Sequence, residues 1–297
     1  MTSFREAAPG SAAPLVRGNG DAPAADLEPL RIGLLGGFQV RVGSRVVGEN
    51  EWRLRKAASV VKLLALAPGH HLHREQAMDL LWPDLGAKAA ANNLHYALHV
   101  ARGVLDPGPR APAGYLRLRG GRLQLCPESP LWVDVEAFEE AAATARRERE
   151  PAAYRAALDL YAGDLLPEDR YGVWTEERRE ELRQLYLALL VELARAYEER
   201  GERERAILSF ERVVTEQPIH EKAHTGLMRL YAAAGHPVKA IIQYERLKET
   251  FRHQLDRTPD NATRRLYRRI LAQQPPTARP PAPEKHSTTV GTTCRLP

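Results

Sequence analysis

At 297 residues, with 43% hydrophobic and 27% charged side chains, the chain has the size and polarity of two soluble globular domains. Its longest apolar runs, Val60 to Ala67 and Leu185 to Leu193, are broken by Lys62 and Glu192 and fall short of the about 20 residues that a membrane span needs, which excludes a transmembrane protein. The net charge of +5 is unevenly spread: Leu30 to Pro130 carries 14 Lys and Arg against 7 Asp and Glu, whereas Leu131 to Gln274 carries 24 against 26, so a polyanion partner is expected for the first folded segment alone.

Residues 1 to 28 are rich in Ala, Pro and Gly without periodicity, and 274 to 297 are similar; both are expected to be disordered tails. The N-terminal stretch has no apolar core between a basic start and a cleavage site, which predicts no secretory signal and a cytoplasmic protein. Ile32, Leu34, Phe38, Val40 and Val42 then alternate by twos, and Gly43-Ser44 precedes Arg45-Val46-Val47. That pattern predicts short antiparallel strands, with Gly36-Gly37 as a bulge or a break.

From Glu51 the period becomes helical. Ala57, Val60, Val61 and Leu64 share one face before Pro68-Gly69; a second short helix has Ala77, Leu80 and Leu81 on one side and ends at Trp82-Pro83-Asp84. A third is expected from about Ala87 to Leu105, where Leu94, Leu98, Ala101 and Leu105 form a narrow apolar stripe. After the loop DPGPRAPAG, the segment YLRLRGGRLQL predicts a hairpin around Gly120-Gly121. Strands, three helices and a hairpin are the order of a winged helix-turn-helix, whose third helix can enter a major groove.

The face of that third helix opposite its stripe carries Lys88, Asn92, Tyr96 and His99, with His95 and Arg102 toward one flank and no carboxylate. Amides, imidazoles and cations are groups that read base edges and hold phosphates. In the hairpin, Arg117 and Arg119 alternate with Leu116 and Leu118, and Arg122 follows the turn, an arrangement suited to phosphates or the minor groove. Arg53, Arg55 and Lys56 at the start of the first helix add candidate phosphate contacts. Any one of these residues alone is equally well an ordinary solvated side chain; three basic clusters in one small domain favour DNA binding.

From Leu131 onward the chain reads as helical nearly throughout, and it repeats. Leu193, Tyr197, Gly201, Ala206 and Phe210 recur at a constant offset of 34 as Leu227, Tyr231, Gly235, Ala240 and Tyr244, and that offset is the tetratricopeptide period. A glycine closes the turn between two helices, an alanine lets them approach, and an aromatic fills the gap between neighbouring pairs. Ala157, Leu158 and Tyr161 resemble the second helix of another unit at an offset of 49, so an insertion of 15 interrupts the register. Ala262 to Leu271 is expected to be a closing helix. The predicted architecture is mainly α with a small β component: a winged helix-turn-helix over 29–130 and an all-α tetratricopeptide-like domain over 131–273.

The stretch WRLRKAASVVKLLALAPGHHLHREQAMDLLWPDLGAKAAANNLHYALHVARGVL (52 to 105), followed by WVDVEAFEEA (132 to 141) and YAGDLLPEDRYGVWTEERREELRQLYLALLVELA (161 to 194), resembles the SARP-type transcriptional activators. These join an OmpR-like winged helix-turn-helix to a bacterial transcriptional activator domain. The resemblance covers roughly residues 30 to 272, with LLWPD and GDLLP as specific features. It implies binding of double-stranded DNA by the third helix and wing at directly repeated promoter sites. It also implies contacts with RNA polymerase and its sigma factor, and a helical domain that supports a homodimer or regulation. The recognition face departs from many relatives in carrying Asn92, His95, Tyr96 and His99 where more arginine is usual. The chain has no GxxxxGK[ST] motif, so nucleotide control within this polypeptide is not expected, nor is a receiver domain with a phosphorylatable aspartate ahead of the first strand.

Enzymatic readings find little support in the residues. His70, His71, His73 and Glu75 cluster, but the spacing is not HExxH, no distant third ligand is identifiable, and the stretch reads as a helix-connecting loop. No GxSxG and no Cys/His pairing occurs, and Cys126 reads as a strand residue at the end of the wing. Cys126 and Cys294 lack CxxC or CxxH companions, so neither a disulfide framework nor a structural zinc site is expected. No cofactor, metal or membrane partner is expected. The remaining alternative is a tetratricopeptide-type protein-interaction adaptor without specific DNA binding, against which the charge asymmetry argues.

Overall fold

The structure is a computed structural model, and it describes residues 28–106, 114–169 and 172–273. The expected disordered tails and most of the loop DPGPRAPAG lie outside the described residues. The chain forms two compact units, one of residues 28–138 and 160–179, the other of residues 139–159 and 180–273.

In the first unit, β1 (Leu30–Gly33) pairs antiparallel with β2 (Gln39–Val42), which pairs with β3 (Arg45–Val47). Alternation works as expected: Leu30, Ile32, Val40 and Val42 are buried while Arg31 and Arg41, also opposite one another, face solvent. Three helices follow, α1 (Arg55–Leu66), α2 (Arg74–Leu81) and α3 (Ala87–Leu105). Ala57, Val60, Val61 and Leu64 of α1 are buried, and so is the whole α3 stripe of Leu94, Leu98, Ala101 and Leu105, widened by Ala90, Ala97 and Val104. On α2 the buried set is Ala77, Met78 and Leu81; Leu80, expected on the apolar side, is 42% exposed.

The His70–His73 stretch is not simply a loop. After the 3₁₀ turn Pro68–His70, residues His71–His73 form β4, a short strand that pairs with β6 (Arg122–Leu125), which in turn pairs with β5 (Leu116–Arg119). Gly120 and Gly121 both take positive φ, as the central residues of a type I′ hairpin turn must. The expectation of helix from Leu131 also needs adjustment, because Leu131–Val133 form β7, which lies parallel to β1 at the sheet edge.

Asp134, the first residue of α4 (Asp134–Glu148), is buried and closes this sheet end. Its Oδ2 accepts from the backbone N–H of Leu34 and of Leu35, each at 2.8 Å. Burial pushes this carboxyl up, and the N–H bonds pull it the other way. The same β1–β2 connection receives the GDLLPED segment. Leu166 N–H donates to Leu34 O and Gly36 N–H to Asp164 O, both at 2.9 Å, and Leu165 and Leu166 are fully buried. Gly36 has φ +82°, and a Cβ there would meet the Ala162 backbone at 3.2 Å, so both conformation and close approach demand glycine.

The second unit is built from helices: α5 (Pro151–Leu160), α6 (Val173–Glu199) from Glu180 onward, α7 (Arg203–Glu216), α8 (Glu221–Ala233), α9 (Pro237–Leu255) and α10 (Asn261–Ala272), with the remainder of α4. The repeat period is carried into hydrogen bonding. Glu202 N–H donates to Tyr197 O at 2.9 Å, and one repeat later His236 N–H donates to Tyr231 O at 2.8 Å, each bond spanning a glycine of φ near +76° (Gly201) or +77° (Gly235). These are the six-to-one bonds of a left-handed glycine C-cap, written twice. Ala206 and Ala240 are fully buried, and Phe210 and Tyr244 nearly so. Phe210 presses on Gly226, where an added Cβ would sit 2.7 Å from its ring.

Candidate nucleic-acid interface

α3 starts at Ala87 after the Trp82–Gly86 turn and presents two opposite faces. At about 100° per residue, Lys88, Asn92, His95, Tyr96 and His99 fall within an arc of about 100° centred opposite the buried stripe. All five are exposed, Tyr96 to 62%, and α3 carries no carboxylate from end to end. Exposure of a large aromatic and other hydrogen-bonding groups on one helix face is a surface ready for a polar partner.

The remaining candidate cations divide into two groups. Arg53, Arg55, Arg119 and Arg122 are exposed and hold no ion pair among the described residues. Arg119 and Arg122 face one another across the hairpin on either side of the Gly120-Gly121 turn, so two guanidinium groups stand at the wing tip. Arg53 and Arg55 border an open groove with Phe38 and Trp52, whose rings lie 5.3 Å apart.

Arg102, Arg117 and Lys56 have partners within the chain. Arg102 is half-buried and its Nε donates to Leu116 O at 2.9 Å, tying β5 to α3; burial lowers the pKa of its guanidinium. Arg117 Nη1 donates to Glu128 Oε1 at 2.7 Å, which raises the arginine and lowers the carboxyl. Lys56 Nζ donates to Leu81 O at 2.6 Å, at the C-terminal end of α2, and sits 5.8 Å from the Trp82 ring, so the LLWPD motif is held against the start of α1.

Three supporting residues escape sequence reasoning. Arg45 Nη2 donates to Val104 O at 2.7 Å and Leu105 O at 3.1 Å, capping the C-terminus of α3. Lys62, only 5% exposed on α1, donates to Glu168 Oε1 at 2.9 Å and Asp169 Oδ2 at 2.7 Å and lies 4.8 Å from the Phe38 ring. Arg179 completes this corner, donating through Nε to Leu165 O at 2.7 Å. The acidic end of GDLLPED therefore serves as counter-charge to the buried lysine of α1.

The histidine cluster disperses. His70 Nε2 lies 3.3 Å from Glu136, His71 Nδ1 3.2 Å from Gly69 O, and His73 faces Glu75; among the described residues no group of three metal-ligating side chains converges. Cys126 is buried and its thiol is pushed up to about 12 by that burial, which keeps it protonated and unreactive at neutral pH. No helix among the described residues is long and apolar enough to cross a membrane.

Comparison with known proteins adds a domain match and similar proteins. Residues 133–271 match the model of the bacterial transcriptional activator domain. The regulatory protein DnrI of Streptomyces peucetius is 27% identical over 233 residues, which are 74% of this chain and 85% of that protein. Among solved structures, EmbR of Mycobacterium tuberculosis, determined in complex with a low-affinity phosphopeptide, shares the fold with a TM-score of 0.67 at 24% identity. That likeness covers 83% of this chain, which spans 66% of EmbR's length. The domain match, the relative and the shared fold agree with the motifs LLWPD and GDLLP: residues 133–271 carry a bacterial transcriptional activator domain, in a chain similar to the SARP-type transcriptional activators.

Proposed function

We propose that this regulator acts by binding promoter DNA, with α3 in the major groove and the β5–β6 wing against the flanking backbone or minor groove. The observation that carries the reading is the exposed, carboxylate-free face of α3 beside a hairpin tipped by Arg119 and Arg122. Asn92 is the group suited to the paired donor and acceptor of an adenine, His95, Tyr96 and His99 supply further base-edge or phosphate bonds, and Lys88 neutralises phosphate near the helix start. Arg53 and Arg55 extend the phosphate track. Arg102, Arg117 and Lys56 position the elements, and their remaining N–H groups stay available to phosphates.

In the same reading, the helical unit supports a homodimer, the dimer occupies directly repeated sites, and contacts with RNA polymerase and its sigma factor give activation. These steps rest on the similarity to the SARP-type activators. The test is titration of full-length protein onto promoter duplex DNA across a salt series. Neutralisation of phosphates gives an affinity that falls with salt at a slope of about −0.9 per phosphate contacted, together with a preference for promoter over random duplex. An adaptor without DNA binding would show little affinity at any salt.

A further inference from the structure

α10 is an amphipathic helix with two unlike faces. Thr263 and Ile270 are buried and Leu266 and Tyr267 half-buried: Ile270 and Tyr267 join Met228, Ala240 and Tyr244, the Tyr244 and Tyr267 rings stack at 3.9 Å, and Thr263 Oγ1 lies 3.2 Å from Thr225 Oγ1. Opposite them, within an arc of about 140° at about 100° per residue, stand Arg264, Arg265, Arg268 and Arg269. All four are exposed. The helix has no carboxylate, and among the described residues none of the four holds an ion pair; Arg264 bonds only the Asn261 amide oxygen.

Helix stability does not account for this composition. Arg264–Arg268 and Arg265–Arg269 are i,i+4 pairs of like charge, an arrangement that weakens a helix where an acid–base pair would strengthen it. Other helices of this unit follow the stabilising rule: Arg205 pairs with Glu202 on α7's edge, and Lys248 with Glu245 and Arg252 with Glu249 on α9. Residues 131–260 carry 20 Lys and Arg against 26 Asp and Glu, so α10 is a concentrated positive patch at the end of an otherwise acidic stretch.

We infer that the arginine face of α10 is a second DNA-contacting surface, which binds duplex phosphates outside the base pairs read by α3. The inference rests on the DNA-binding reading above. Five residues of helix set the outer arginines about 7.5 Å apart along the axis, a span that meets several of the phosphates spaced about every 1.7 Å of duplex. Arginine forks suit phosphate oxygens, and a contact that touches only backbone adds affinity without sequence preference.

The test compares full-length protein with the variant Arg264→Gln/Arg265→Gln/Arg268→Gln/Arg269→Gln on a long promoter duplex across a salt series. The expected result is a salt slope shallower by about 2 to 4, affinity at low salt at least tenfold weaker, unchanged preference for promoter over random sequence, and a melting temperature equal to or above that of the parent. An unchanged slope and affinity, with the parent still selecting its promoter, would overturn the inference and leave the DNA-binding reading intact; that outcome would assign the patch to an acidic protein surface instead. A parent protein with no salt-dependent DNA affinity would defeat both. A lowered melting temperature would show the arginines to be structural and would also overturn it.

Discussion

At the level of single residues, bonding partners sort the polar side chains of the winged unit into those that build it and those exposed for the proposed DNA contact. Lys62, Arg45 and Arg179 spend their donors on carboxylates and backbone carbonyls, whereas Asn92, His99 and Arg119 are exposed. Substitution of Asn92 or His99 by Ala is expected to lower the preference for promoter over random DNA by about 1–3 kcal/mol per lost base contact, and Arg119→Ala to weaken both about equally. Binding titrations on the two duplexes decide this, and the reverse pattern would mean that the reading helix is misassigned. A second expectation concerns pH. His224 is 1% exposed; its Nε2 lies 3.0 Å from Pro218 O, and its Nδ1 lies 2.9 Å from Gln243 Nε2 and 3.3 Å from Gln243 O. Burial lowers its pKa, and likewise that of His220, whose Nδ1 accepts the Ala223 N–H at the start of α8. A lowered histidine pKa leaves the unfolded chain holding more protons below the ordinary value of about 6.5. Stability is therefore expected to be full above neutral pH and to fall as pH drops through about 6.5 toward 5. Urea midpoints measured across that range check it, and His224→Gln is expected to flatten the dependence.

At the level of elements, what was legible in the sequence was what local pattern controls. The i, i+4 spacing of Leu94 and Leu98 places α3, the Gly120-Gly121 pair places the wing turn, and the glycines one repeat apart, Gly201 and Gly235, place the two C-caps. What stayed hidden depends on partners far along the chain. β4 is a short strand that exists because the much later β6 pairs with it, and β7 exists because β1, far earlier in the chain, offers an edge. Nothing near Lys62 announces Glu168 and Asp169, and nothing near Arg45 announces the end of α3. For the same reason the candidate site residues could be named but not sorted, since the partners of Arg117, Arg102 and Lys56 are set by folding. The Lys62 corner makes a stability test of this long-range link. Glu168→Ala/Asp169→Ala strands a buried ammonium and is expected to cost about 2 kcal/mol, less than the ~3–5 of a wholly buried pair because the two carboxylates are 41% and 30% exposed. Adding Lys62→Met should restore most of that loss, as denaturant unfolding would register; no recovery would mean that the acids act elsewhere.

At the level of the whole molecule, the chain joins a winged unit to a repeat-built helical unit. The boundary is not a single point in sequence, because the GDLLPED segment that interrupts the helical register belongs to the winged unit and supplies the counter-charge of its first helix. A break in the repeat was readable as an inserted segment; its destination was not. The measurement that tests the central claim most directly is a footprint of full-length protein on the promoter region of its own gene neighbourhood, repeated across a salt series. The expected result is protection of two directly repeated sites that persists at moderate salt and is lost on Asn92→Ala/His99→Ala. Diffuse retention without discrete protection, or protection unaffected by those substitutions, would contradict the assignment of α3 as the element that reads DNA.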